Sequence, residues 1–169
     1  VLADGSPGAG RDGVVEARPG GTAVWVQVAS VRTEATGSFA APVYPTGTTE
    51  YRARWFPVPG ADALSSTSTV GFGSTTTIKA SASAVRRGRY VTLSGAVTPN
   101  HAGRTVSIHY RYGARGRYRT LSVRTLSAAG AYSVRMRVGS RGYYYFHAHF
   151  AGDPSHRGSD SGTVRVRGY

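Results

Sequence analysis

Arg111, Arg135, Arg137, Arg165 and Arg167 alternate with apolar residues in short segments, and Tyr143 and Tyr145 stand near them. In an extended chain, period-two alternation turns these guanidinium groups to one side and their apolar neighbours to the other. Arg115, Arg117 and Arg119 add three more in or beside a turn. Arginines interleaved with aromatic rings can grip phosphates, sulfates, uronates or nucleic-acid bases. No helix-turn-helix, zinc-finger or RNA-recognition signature accompanies them, so nucleic acid is not the expected partner. The expected anion- or glycan-binding residues are Arg111, Arg135, Arg137, Arg165, Arg167 and Tyr145. Charged outer faces also keep sheets soluble and discourage edge pairing, and that reading stands beside the first.

The histidines allow a second chemistry. His109 falls on one expected strand, and His147 and His149 on another that should pair with it. All three point to solvent, where a divalent metal could bridge them. A polar face without a ligand is the simpler reading, and neither a metal nor a cofactor is expected. His101 and His156 fall in loops and are expected to be solvated.

Catalytic residues are scarce. Asp4, Asp12, Asp153 and Asp160 neighbour Gly, Pro or Ser, Asp62 follows two residues after Gly60, and no carboxylate pair has the spacing of an acid–base couple. No Gly-x-Ser-x-Gly elbow precedes a helix. Asp153, Ser155 and His156 crowd one turn and cannot form a triad there. The absence of cysteine excludes disulfides, thiolate nucleophiles and Cys-type zinc sites. No enzyme is expected.

The elements that must position these residues are strands. Val, Tyr, Thr and Arg alternate between Gly, Pro and Ser punctuation, and no segment sustains a 3.6-residue period. Seven strands are expected in the second half, near 75–82, 89–98, 105–112, 118–125, 131–138, 143–150 and 162–168. Val106, Ile108, Tyr110, Tyr132, Val134, Met136, Phe146, Ala148, Phe150, Val164 and Val166 form their inward face.

The halves also repeat. Val31-Arg32-Thr33 returns as Val123-Arg124-Thr125, YRARWF at 51–56 as FHAHFA at 146–151, and Ala9-Gly10-Arg11 as Ala102-Gly103-Arg104. The period is about 93 residues, which suits one β-sandwich per repeat. Charge divides unequally between the halves. Residues 1–73 carry five Arg against six carboxylates, a net of −1. Residues 74–169 carry 15 Arg and Lys79 against two, a net of +14, giving the overall +13. An acidic partner should meet the second half. No apolar run is long enough to span a membrane.

STTTIKASASAVRRGRYVTLSGAVTP, followed by AGRTVSIHYR, GAYSVRMRV and FHAHFAGD, resembles the bacterial Ig-like repeats of secreted and cell-surface actinobacterial proteins. The resemblance covers essentially the whole chain. It implies an all-β fold of two tandem Ig-like β-sandwiches: an incomplete domain at 1–71 and a complete one at 72–169. With Gly10 opposite Gly103, Val1 falls opposite Ser94, so the first sandwich is expected to lack its N-terminal strands. Either the sequence is a fragment or a neighbouring molecule donates the missing strand. The first sandwich's core is expected at Val15, Ala17, Phe39, Ala41, Tyr51, Ala53 and Trp55.

The expected role is that of a non-enzymatic extracellular or cell-surface module, structural or adhesive, and donation of the missing strand from copy to copy would build a filament. The alternative is an accessory module that binds anionic glycan or cell-wall polymer for a secreted enzyme. Expected partners are further copies or neighbouring Ig-like domains, and anionic cell-wall polymer or glycan.

Overall fold

The computed structural model describes residues 8–58 and 61–169, the side chains of residues 57, 58 and 61 excepted. Every long regular element among them is a strand, and no helix is long and apolar enough to cross a membrane. The fold is all-β. The strand tail expected at residues 1–7, with Asp4, lies outside the described residues. The chain divides into two compact units. One runs to Phe72 and includes Pro154–His156; the other holds Gly73–Asp153 and Arg157–Tyr169.

The first unit is one sheet of β1 (Asp12–Pro19), β2 (Val26–Arg32), β3 (Thr49–Val58), β4 (Ala61–Leu64) and β5 (Ser68–Val70). Its order is β2-β1-β3-β4, with β5 also on β3. Antiparallel pairing sets Val15 opposite Ala53 and Ala17 opposite Tyr51 on one face, and Val14 opposite Arg54 and Glu16 opposite Arg52 on the other. Val15, Ala17 and Ala53 are buried as their alternation predicts, and Ala41, Tyr51 and Trp55 are half-buried. Phe39 departs from its expected core place. It is 37% exposed and meets Trp55 edge-on, ring centroids 5.0 Å apart.

The second unit contains β6 (Thr75–Thr76), β7 (Lys79–Ala80), β8 (Ala84–Val85), β9 (Tyr90–Thr98) and β10 (Thr105–Tyr112). It continues with β11 (Arg119–Thr125), β12 (Ala131–Arg137), β13 (Gly142–Asp153), β14 (His156–Asp160), whose first residue is grouped with the first unit, and β15 (Val164–Gly168). One sheet runs β11-β10-β13-β15-β8 with β14 on β13; the other runs β12-β9-β6 with β7 on β9. The strand expected near 75–82 is two short pieces, and β8 and β14 are additions. HRGSD in β14 is polar throughout and offers no alternation to read.

The two sheets share one core, a sandwich-like arrangement. Val91, Leu93 and Val97 of β9 and Tyr132, Val134 and Met136 of β12 meet Val106, Ile108, Phe146, Ala148, Phe150 and Val166. Each large apolar side chain removed from water there contributes roughly 1.5–3 kcal/mol. Phe146 and Phe150, both essentially inaccessible, are the largest of them.

The repeat is physical. Asp12 faces Arg32 in the first unit, and Thr105 faces Thr125 in the second, each member 93 positions on. Both hairpins carry a β-bulge at the same place, between Val15 and Glu16 and between Ile108 and His109. Gly10 and Gly103 enter them with φ of 64° and 80°, a backbone that favours glycine, and donate to the carbonyls of Thr33 and Leu126. The Val31-Arg32-Thr33 echo is therefore one residue out of step: the counterpart of Thr33 is Leu126, not Thr125.

Candidate functional site

The outward side of the β11-β10-β13-β15 sheet gathers the aromatic and basic residues. Arg111 on β10 stands directly opposite Tyr145 on β13, and Tyr145 opposite Arg165 on β15; Tyr143 stands opposite Arg167. The guanidinium of Arg111 lies over the rings of both Tyr118 and Tyr145, at 4.9 and 4.8 Å. Arg165 lies over Tyr143 at 4.9 Å. Arg111, Tyr145, Tyr143 and Arg165 thus make a ladder across three strands spaced roughly 4.8 Å apart, and Tyr118, just before β11, extends it. Each cation–ring contact contributes about 0.5–1 kcal/mol at such exposed positions.

Arg135 and Arg137 do not belong to it. They point outward as expected, but from β12, which pairs with β9 in the other sheet. Arg135 lies over Tyr90 there, 4.6 Å from its centroid. The single arginine face expected from alternation is two faces, because parity tells which side of a strand a residue takes but not which sheet the strand joins.

Beyond Tyr112 the β10–β11 connection turns sharply. Gly113 donates to Tyr143 O (2.8 Å), and a side chain at Gly116 would meet the carbonyl of Tyr112. This loop frames a cavity of about 290 Å³ lined by Tyr110, Arg111, Tyr112, Gly116, Arg117 and Arg119. Tyr112 is anchored by donation of its hydroxyl to Arg141 O (2.5 Å). Arg111 Nε is shielded and has no hydrogen-bond partner among the described residues.

The three candidate metal-ligating histidines take different roles. His109 and His147 face each other across β10 and β13, their rings stacked with centroids 5.0 Å apart. Stacked imidazoles direct their in-plane lone pairs alongside one another, not toward one ion. Tyr118 meets His147 edge-on at 4.3 Å. Burial, then His109, holds His147 below the usual histidine range against the opposing pull of Asp160, with His149 and Arg111 adding to the lowering. His149 turns away to Asp160, 2.9 Å from Nδ1.

His101 is not the solvated loop residue expected. It is buried, with Nδ1 2.8 Å from Asp153 Oδ2 and its ring 4.6 Å from that of Phe150. His156 opens β14 and is half-buried rather than solvated. Asp153 and Asp160 are the only carboxylate side chains between residues 74 and 169, and both engage histidines. No arginine of the second unit pairs with a carboxylate side chain among the described residues.

The first unit resolves the same sheet positions differently. Where His109 faces His147, Glu16 faces Arg52; where Arg111 faces Tyr145, Arg18 faces Glu50. Glu16 is buried, accepts a hydrogen bond from Arg52 Nε at 2.8 Å and forms an ion pair with Arg54, whose Nε stands 3.1 Å away. Arg18 pairs with Glu50, and Arg54 also reaches Asp62 at 3.3 Å. Trp25 lies beneath the guanidinium groups of Arg18 and Arg52, at 4.9 and 4.2 Å. Alternation places Glu16 on an outward face, and its burial is legible only through the arginines opposite. One lattice is neutralised by its own carboxylates; the other keeps its charge. No family model matches the chain, and no curated protein is similar to it.

Proposed function

We propose that this chain is a non-enzymatic extracellular or cell-surface module, built on two tandem Ig-like sandwiches of which the first is represented by one sheet. Its role is adhesive, and its partner is an anionic glycan or cell-wall polymer met by the second unit. The observation that carries this reading is the contrast between equivalent lattices. Arg18, Arg52 and Arg54 are compensated by Glu16, Glu50 and Asp62, whereas Arg111, Arg165 and Arg167 have no carboxylate side-chain partner among the described residues. Stacking on tyrosine holds two of these cations flat without neutralising them. The 169-residue chain passed over immobilised heparin and immobilised teichoic acid should be retained at low salt and released as salt rises. Passage through both unretained rejects the adhesive reading.

A second reading, self-association, is favoured by the sheet edges. β2 and β11 occupy the same place in the repeat and are both edge strands. Val26, Val28 and Val123 are about half exposed on them. Two such edges on one chain let β2 of one copy add to β11 of the next, a head-to-tail contact that need not close. Sedimentation should then grow with concentration and Val28→Lys should suppress the growth. A single species at every concentration removes this reading.

A further inference from the structure

Resting on the adhesive reading, we infer that the cavity framed by Arg117 and Arg119 seats an oxyanion group of a linear anionic polysaccharide. Among the described residues three arginines line this cavity and no carboxylate does. Arg117 and Arg119 are exposed, so their donors are open to an incoming group, while Arg111 is held over Tyr118 and Tyr145. The Tyr112 wall of the cavity is an apolar surface at a fixed position, because Tyr112 is tied to Arg141 O and packs edge-on against Tyr144 at 5.1 Å. A planar guanidinium matches sulfate and carboxylate oxygens with paired donors, which a lysine ammonium cannot do.

The neighbouring outer face likewise favours sugar polymer over single-stranded nucleic acid. Sequence-tolerant binding of bases requires open aromatic faces on which they stack. Tyr118, Tyr145 and Tyr143 each have a guanidinium over the ring. The surface therefore offers N–H edges for peripheral charges more than bare rings for bases. Sulfate esters and uronate carboxylates share this oxyanion chemistry, so either can supply the group.

The experiment uses the full chain and three probes: a size-defined heparin oligosaccharide, an oligogalacturonate of equal charge and an oligo-dT of equal charge. Arg117→Ala/Arg119→Ala is compared with Arg135→Ala/Arg137→Ala, which removes the same charge from the other sheet. The cavity variant should lose affinity roughly tenfold or more for whichever saccharide binds. Its log–log salt slope should fall by roughly two, while the control changes little. Relative affinity for heparin and oligogalacturonate identifies sulfate or carboxylate as the group. Equal losses in the two variants would place binding in net charge alone, overturning the cavity while leaving the adhesive reading intact. Tighter binding of oligo-dT than of either saccharide overturns the choice of polymer. No binding of any probe by the parent chain overturns both. Unchanged near-UV circular dichroism confirms that each variant is folded.

Discussion

His109 and His147 stack across β10 and β13 with ring planes 23° apart, at the sheet position where the first unit sets Glu16 against Arg52. One repeat place thus carries two neutral-capable rings in one unit and a buried ion pair in the other. The different contents give the two units different responses to pH and to mutation.

His147 should make stability fall in mild acid. The folded chain holds its pKa below the 6.5 of a free histidine, mainly through burial and secondly through His109. The groups around it are His109, His149, Arg111, Asp160 and Tyr118. As pH falls through about 6.5, the unfolded chain takes up a proton that the folded chain resists, so the unfolded state gains. Urea midpoints measured from about pH 7.5 down to 5.5 should decline, and His147→Gln should flatten part of that slope. An unchanged slope in the variant would remove His147 as its source.

Glu16→Gln should destabilise the chain by about 1.5–3 kcal/mol, since it weakens charge-assisted contacts to Arg52 and Arg54 at a buried position. Asp12→Asn provides the contrast. The Asp12–Arg32 pair, 3.5 Å apart, is well exposed on both sides, and its loss should register at no more than about 0.5 kcal/mol. Chemical denaturation of both variants checks the ordering; a larger loss for Asp12→Asn would contradict it.

Phe150→Ala should cost roughly 3–5 kcal/mol, the range for emptying an aromatic core position. Its neighbour His149 faces the opposite way and is half exposed, so His149→Ala should change stability by only about 0.5 kcal/mol. Reversed costs would place β13 in the wrong register.

Tyr132 donates its hydroxyl to Thr77 O at 2.6 Å, and burial raises its pKa. Tyr132→Phe should cost about 1 kcal/mol. In alkaline spectrophotometric titration, parent and variant should separate only when the chain unfolds. A difference between them in the folded range would show that the phenol ionises in place.

The core was the most legible part of the sequence. Val106, Ile108, Phe146, Ala148 and Phe150 announce their burial by strict alternation, because a one-residue slip would reverse every side chain. The ladder was half legible. Arg111, Tyr145 and Arg165 could be placed outward, but pairing between strands, which separates them from Arg135 and Arg137, leaves no mark in a local pattern. His101 was opaque: a loop has no parity, and its partner Asp153 lies 52 positions on. Glu16 was misleading for the opposite reason, since its parity is clear but its burial depends on Arg52 and Arg54 across β3. The Val-Arg-Thr echo matched letters where the pairing sets a different register.

The joining of β8 to β15 has a mechanical consequence. These strands are parallel, with Arg167 beside Ala84 and Gly168 beside Val85. Bonds from Arg167 to Ser83 O (2.8 Å), Tyr169 to Val85 O (3.1 Å) and Arg87 to Tyr169 O (2.7 Å) cross between them. Tension applied between Gly73 and Tyr169 draws the two strands along their lengths in opposite senses. The crossing bonds then bear the load together in shear instead of opening one after another, so this small patch governs how the second unit yields when it is stretched.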